Sequence, residues 1–433
     1  MTTDGEQHLL LLTGIGGHAP EDALDSLQTV TSTISVLHLT AWTPVDPVRA
    51  DWSSRGLDGE CLIAADFAEA AETVAALHRR RRIDGVVTYS ELLLRPQAEI
   101  AQRLGLPGNS PQSVAIAQSK ARQRAVFAQR GVPSPRSAEL RGAADLAPAA
   151  ARVGLPAVFK PSLGAGSTGV RLVRDQAELE RAYEEARAAT GPFLQEDDRF
   201  LLEERLQVEA DGDTDYAAYV SVESLLVEGQ AHHLVVTDRL RLRHGYAEEG
   251  LILPSRLPAA RQADVIACAD RAIRAVGLTS GAVHTEVALT ARGPVVIEVN
   301  ARAGGPVPDL LRTAADYDYA AQIGRAALRL PPTEGVVLRR AAWHRFMPIP
   351  EGEWRVASQE DAAKVRERFP ELVYLSPRFR PGQQVSRART LHLASYMLRA
   401  GTLDEARALA EAVEQALDVR LEPVTPPGGP RQG

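Results

Sequence analysis

His284-Thr285-Glu286-Val287 and Glu298-Val299-Asn300-Ala301-Arg302 gather two carboxylates, an amide, an imidazole and a guanidinium into one short stretch. The turn-like Ala291-Arg292-Gly293-Pro294 between them predicts an antiparallel hairpin, with Val283, Val287, Val295 and Val299 as its apolar context. Side chains alternate between the faces of a strand, so His284 and Glu286 share one face, as do Glu298, Asn300 and Arg302. Pairing the strands then brings Glu286, Glu298 and the Asn300 amide oxygen together. Bare, the carboxylates would repel and be costly to bury; around Mg²⁺ they become hard oxygen ligands that also hold nucleotide phosphates. The bland alternative is a solvated face of Glu–Arg pairs. Gly304-Gly305, just beyond Arg302, weighs against it by freeing backbone for close approach to a ligand.

A second stretch runs Phe159-Lys160-Pro161-Ser162-Leu163-Gly164-Ala165-Gly166-Ser167-Thr168-Gly169-Val170. It reads as a strand ending in lysine, a loop of small residues and a return strand. Small residues let backbone N–H groups reach phosphate oxygens and let the loop close over a ligand. Because the lysine precedes the glycines, the spacing is not that of a P-loop, and a plain hairpin connection is the alternative. Positive charge in this chain is almost all arginine; the lysines are Lys120, Lys160 and Lys364. A lysine kept against that bias suits a site that needs a compact point charge rather than a planar fork. Phe200-Leu201-Leu202-Glu203-Glu204-Arg205-Leu206 is a third stretch, a strand ending in an acidic pair, for which a surface role is the default.

These elements need a scaffold, and a chain of 433 residues calls for two or three domains. Apolar residues at 45% and charged residues at 24% are ordinary for a soluble protein. The net charge of −7 argues against nucleic acid and anionic membrane as partners. Cys61 and Cys268 lack metal-ligand spacing and read as two buried, reduced thiols. The start has no basic n-region, so Leu9–Leu12 is expected to be a first strand, with a cytoplasmic location as the default.

From His8 to about Gly108, strands at Leu9–Leu12, Ser35–Leu39 and Gly85–Tyr89 alternate with helical stretches such as Asp66–Arg80, the pattern of a parallel α/β sheet. Gly14-Ile15-Gly16-Gly17 follows the first strand, but a full G-x-G-x-x-G and the acidic partner after the second strand are missing. A tight strand-to-helix turn is the reading. Pro107–Gly131 predicts a loop and a helix capped by Ser110. Beyond the linker Gly131-Val132-Pro133-Ser134-Pro135 the texture becomes α+β, with strands at 157–160, 170–173, 200–204, 219–226, 232–236, 282–289, 295–299, 341–346 and 384–387. Helices are expected at 176–189, 259–276 and 404–417, and a disordered tail at 424–433.

Taken in order, these pieces resemble the ATP-grasp superfamily, and within it carboxylate–amine ligases of the L-amino-acid ligase type, from the first strand to about Leu421. The resemblance implies a Rossmann-like pre-ATP-grasp domain (1–115), a linker helix and central lid domain (116–205), and a C-terminal antiparallel-sheet domain carrying the metal and substrate site (206–423). By position, Lys120, Lys160 and the loop residues Ser167, Thr168 and Gly169 would meet the ATP phosphates. Glu203, Glu204 and the backbone through Leu206 would hold adenine, with Glu209 or Asp215 on the ribose. Glu286, Glu298 and Asn300 would bind two Mg²⁺ ions, for which Mn²⁺ could substitute. Arg302 and His284 would act on the substrate carboxylate and acyl phosphate, beside Gly304 and Gly305. Tyr246-Ala247-Glu248-Glu249-Gly250 resembles the loop that supplies an acid to the substrate pocket, with Glu249 the expected residue. A homodimer joining a small-molecule carboxylate to an amine in an amide bond is implied. Rivals are an ATP-grasp enzyme of carboxylating or phosphoribosyl type and a non-catalytic nucleotide sensor.

Overall fold

The protein is described by a computed structural model, over residues 7–40, 57–164, 169–188, 199–208, 215–242, 248–333, 335–386 and 392–424. The expected roles of Ser167, Thr168 and Glu209, and the tail beyond Val424, lie outside the described residues.

Short buried strands β1 (Leu9–Thr13), β2 (Ile34–Leu39), β3 (Cys61–Ala64) and β4 (Gly85–Thr88) form a parallel sheet in the order β3-β2-β1-β4. The first two are buried throughout, as strands of a parallel sheet covered on both faces should be, whereas Cys61, expected to be buried, is exposed at the start of β3, and Cys268 is buried as expected. The helix Phe67–Arg80 starts where Asp66 accepts a hydrogen bond from the Glu69 amide. The glycine loop after β1 makes the expected tight turn. Gly17 has φ of 87°, and a Cβ there would come within 2.4 Å of the Tyr89 carbonyl oxygen.

The stretch expected as one helix is two, Pro111–Ala117 and Lys120–Arg130. Ser110 caps the first, as anticipated. Ser119 caps the second, accepting from Arg122, and its hydroxyl meets that of Ser162 at 3.1 Å. The break puts Lys120 at a helix start, against the glycine-containing loop.

A small antiparallel sheet follows in the order β5-β8-β6-β7, from β5 (Ser137–Leu140), β6 (Ala157–Pro161), β7 (Arg171–Val173) and β8 (Phe200–Glu204). It has its own core of Leu140, Phe159, Leu179, Tyr183 and Leu202.

The largest sheet has eight strands, in the order β13-β12-β9-β10-β11-β14-β18-β16. They are β9 (Tyr216–Val227), β10 (Gln230–Leu240), β11 (Gly250–Leu253), β12 (Gly281–Thr290), β13 (Gly293–Asn300), β14 (Ala341–Pro348), β16 (Leu372–Pro377) and β18 (His392–Ala400). Every pair of neighbouring strands in it is antiparallel. β15 (Glu353–Ser358), β17 (Gln384–Ser386) and β19 (Arg420–Pro423) make a three-stranded satellite. On one face of the large sheet the helix Ala259–Val276 packs on Val220, Val222, Val236 and Val287, and the helix Leu403–Leu417 on Trp343, Tyr396 and Leu398. The other face shares a core with β1 and β4 through the helices Val307–Ala315 and Tyr319–Ala327. Its polar end carries the site.

Candidate active site

The hairpin pairs as its sequence periodicity requires: His284 stands opposite Asn300, and Glu286 opposite Glu298. After Glu286 the register slips, so that Val287 faces Val296 and Ile297 is an extra residue in β13. The Ile297 carbonyl accepts a hydrogen bond of 2.6 Å from Arg124. β13 is also a sheet edge. Gln123 completes it by accepting from the Val299 amide at 2.9 Å and donating to the Val299 carbonyl at 3.0 Å.

Two cations face the hairpin from the smaller elements. Lys120 Nζ lies 2.8 Å from Glu298 and donates to the Gly164 carbonyl at 3.1 Å. Lys160, at the end of β6, lies 2.7 Å from Glu203 on β8, which also meets Arg124 at 2.8 Å. Burial lowers the Lys160 pKa below the ordinary lysine value, although Glu203 pulls the other way. Burial opposes the charge on Glu203, but Arg124 and Lys160 together hold its pKa below the usual carboxylate range. Glu203 is therefore the buried centre of a three-residue ion cluster and not a surface acid. Glu204 pairs instead with Arg136 at 2.6 Å near the surface, and Leu206 follows in the connector.

Next along the sheet, His284 is buried beside Glu223 of β9, with Nδ1 2.8 Å from the carboxylate, while the Arg239 guanidinium of β10 stands 2.7 Å from its Nε2. Burial works against a charged ring, yet Glu223 raises the pKa above its ordinary value. Arg239 also approaches Glu286 at 3.6 Å and pairs with Glu248. Burial would push Glu286 up, but neighbouring His284, then Arg239 and Lys120, hold its pKa well below the usual carboxylate range. Gly304 closes over the ring, since a Cβ there would lie 2.7 Å from His284 Nδ1. Arg302 turns towards the N-terminal sheet, with Nε 2.8 Å from Glu91 and Nη1 donating to the Ala303 carbonyl at 3.0 Å.

Two expected residues are not brought here. Glu249 sits on the opposite face of the sheet, its carboxylate 2.8 Å from Arg345, which also holds Glu414 at 2.9 Å. Asp215 meets Arg407 at 3.5 Å and lines a cavity of about 90 Å³ with Glu249, Arg345 and Trp343. The physical reason is that alternation ends at Gly250. Leu251 aligns with His344 and Arg239 on the site face, so strict alternation would put Glu249 there too. Both acids precede β11, and the chain at Gly250, where a Cβ would lie 2.2 Å from the His344 carbonyl oxygen, turns Glu249 to Arg345 and Glu248 to Arg239. Glu248 is the acid on the site face. Asp215 precedes β9, well before Ser221, which pairs with Glu286.

Glu223, Arg239, Arg124, Glu91 and Glu248 are the site residues that sequence reasoning missed. Only β9 offered a signal: Glu223 is the one charged residue in Tyr216–Val227, and a buried acid in such a strand needs a partner.

Among the described residues no three His, Cys, Asp or Glu side chains converge as a closed metal cage would require. An open site does fit Mg²⁺, because Glu286 and Glu298 align across the hairpin beside Asn300 and each carboxylate already draws a cation, Arg239 or Lys120.

Residues 153–308 match the family described as the ATP-grasp domain, and residues 54–108 the ATP-grasp N-terminal domain. Alanine–anticapsin ligase of Bacillus subtilis is 29% identical over 55% of this chain and 52% of its own length. Carnosine synthase 1 of Gallus gallus is 34% identical over 61% of this chain and 29% of its own. The chain thus spans about half the length of the first and under a third of the second. The crystal structure of an L-amino acid ligase from Bacillus licheniformis superposes with a TM-score of 0.76 over 97% of this chain and all of that one, at 19% identity, which is a likeness of fold.

Proposed function

From a chain that carries an ATP-grasp domain, we propose an ATP-dependent ligase that activates a carboxylate as an acyl phosphate and joins it to an amine. The observation that carries this reading is the alignment of Glu286 with Glu298 beneath Lys120, next to the Arg239–His284–Glu248 network. Two Mg²⁺, with Mn²⁺ as substitute, a homodimer and a cytoplasmic location complete it. Among the described residues no helix is long and apolar enough to cross a membrane.

Lys120 and Lys160 would neutralise the phosphates, each released from the carboxylate that now holds it. Glu286, Glu298 and Asn300 would hold Mg²⁺, which supplies charge neutralisation on the β- and γ-phosphates. The substrate carboxylate attacks the γ-phosphorus, ADP leaves, and Arg302 stabilises the charge on the acyl-phosphate oxygens. Arg239, fixed by His284 and Glu223, orients the carboxylate, and Glu248 receives the ammonium of a substrate. The amine, once deprotonated, attacks the carbonyl; phosphate leaves and an amide remains. The test is a pairwise screen of amino acids with ATP and Mg²⁺ for ADP, phosphate and amide product. ADP release that requires bicarbonate, with no amide formed, would replace ligation by carboxylation.

The two acids at the sheet edge should separate cleanly. Glu249→Ala removes one partner of a buried pair and should destabilise the fold by about 3–5 kcal/mol in urea unfolding, with substrate KM little changed. Glu248→Gln should leave the unfolding midpoint close to that of the parent and raise KM for one substrate at least about tenfold. The reverse pattern would return the role to Glu249.

A further inference from the structure

Beyond the Arg239–Glu248 pair the site face changes character. Arg239 aligns with Leu251, Leu251 with His344, His344 with Met397, and Met397 with Tyr374, one row across β10, β11, β14, β18 and β16. Phe346 lies two residues after His344 and so shares its face. Its ring meets that of His344 edge-on at 4.3 Å and stacks on His392 at 4.3 Å with an interplanar angle of 18°. Tyr374 stands 6.3 Å from His344. His392 Nε2 donates to the Glu248 carbonyl at 3.0 Å, which fixes this wall to the acid.

Phe346, Tyr374 and His392 are half-buried, whereas His344 beneath them is almost fully covered. Burial, then His392 and Arg239, lowers the His344 pKa to about 3, so its ring adds no charge to the wall. His344 Nδ1 has no hydrogen-bond partner among the described residues. An acid beside flat, partly exposed rings complements a ligand that joins an ammonium to a planar group, because rings prefer offset or edge-on partners.

Resting on the ligase reading, we propose that one of the two joined substrates is an α-amino acid with an aromatic side chain, its ammonium on Glu248 and its ring on Phe346, His392 and Tyr374. Phe346 and Tyr374 are then specificity-determining residues. A short aliphatic side chain would leave the rings uncovered.

The experiment compares histidine, tyrosine and alanine as acid and as amine, with the full chain, ATP and Mg²⁺. Product is identified by mass, and binding is followed separately by ligand-observed NMR on the nucleotide-loaded chain. An aromatic substrate should exceed alanine at least about tenfold in kcat/KM, and Phe346→Leu should bring that ratio close to one. Tyr374→Leu is the second variant, should Phe346→Leu fold poorly. A preference for alanine in both positions, or a ratio unmoved by either variant, overturns the proposal. Aromatic binding that Phe346→Leu abolishes, with no amide formed from any pair, would keep the wall and remove the ligase reading instead.

Discussion

Arg302→Lys should lower turnover at least about a hundredfold while ATP affinity and melting temperature stay near those of the parent. The guanidinium is a planar fork that can meet two acyl-phosphate oxygens at once, whereas an ammonium is a single point. Stabilisation that grows as charge builds on those oxygens appears in kcat and not in nucleotide binding. The Glu91 pair supplies the competing role, because at 2.8 Å it ties Arg302 to the N-terminal sheet. Both side chains are about one-fifth exposed, so the pair adds little stability of its own. Glu91→Gln should therefore cost at most about 1 kcal/mol of stability and less than about tenfold in turnover. Were Arg302 only a strut, the two variants would behave alike, both lowering the melting temperature and neither much affecting turnover.

Lys160→Ala should cost about 2–4 kcal/mol in ATP-dependent kcat/KM, roughly thirty- to a thousandfold. Its amine is held by Glu203 at 2.7 Å, and Glu203 is also held by Arg124 at 2.8 Å. Removing Lys160 therefore does not strand the acid, since Arg124 remains. The loss should fall on nucleotide use more than on folding, which comparing unfolding with nucleotide titration resolves. A variant with normal nucleotide affinity and turnover would reduce Lys160 to a structural counter-ion. Lys120→Ala is expected to be milder, since it approaches the phosphates from the start of a helix and its present partner Glu298 can turn to the metal.

How far this site could be read from the sequence depended on how local its geometry is. The register of Glu286 with Glu298 was legible, because a short turn and period-two alternation decide it within one hairpin. The helix Ala259–Val276 was legible from its apolar spacing. The choice between Glu248 and Glu249 was not. Both acids precede the strand Gly250–Leu253, and alternation carried back from Leu251 points to Glu249; the turn at Gly250 that reverses this packs against the His344 carbonyl, on a strand far along the chain. Glu223, Arg239 and Glu91 were hidden for the same reason: each meets its partner only through sheet order or domain contact. The break at Ser119 was missed because helical residues flank it on both sides, and the competing bond from Ser119 to Ser162 is tertiary.

A strand at the rim of a sheet invites another chain to add to it, and the usual defences are charges, prolines or bulges along that rim. β13 cannot rely on charge there, since its acid Glu298 already meets Lys120. It is protected instead by the Gln123 amide, which meets the backbone of Val299 as a neighbouring strand would, and by Arg124, which occupies the bulge carbonyl of Ile297. The helix that delivers Lys120 thus also guards the sheet against edge-to-edge aggregation. With Lys120 in the phosphate-binding role proposed above, solubility and nucleotide handling depend on the same turn of helix, so a change selected for one is felt by the other.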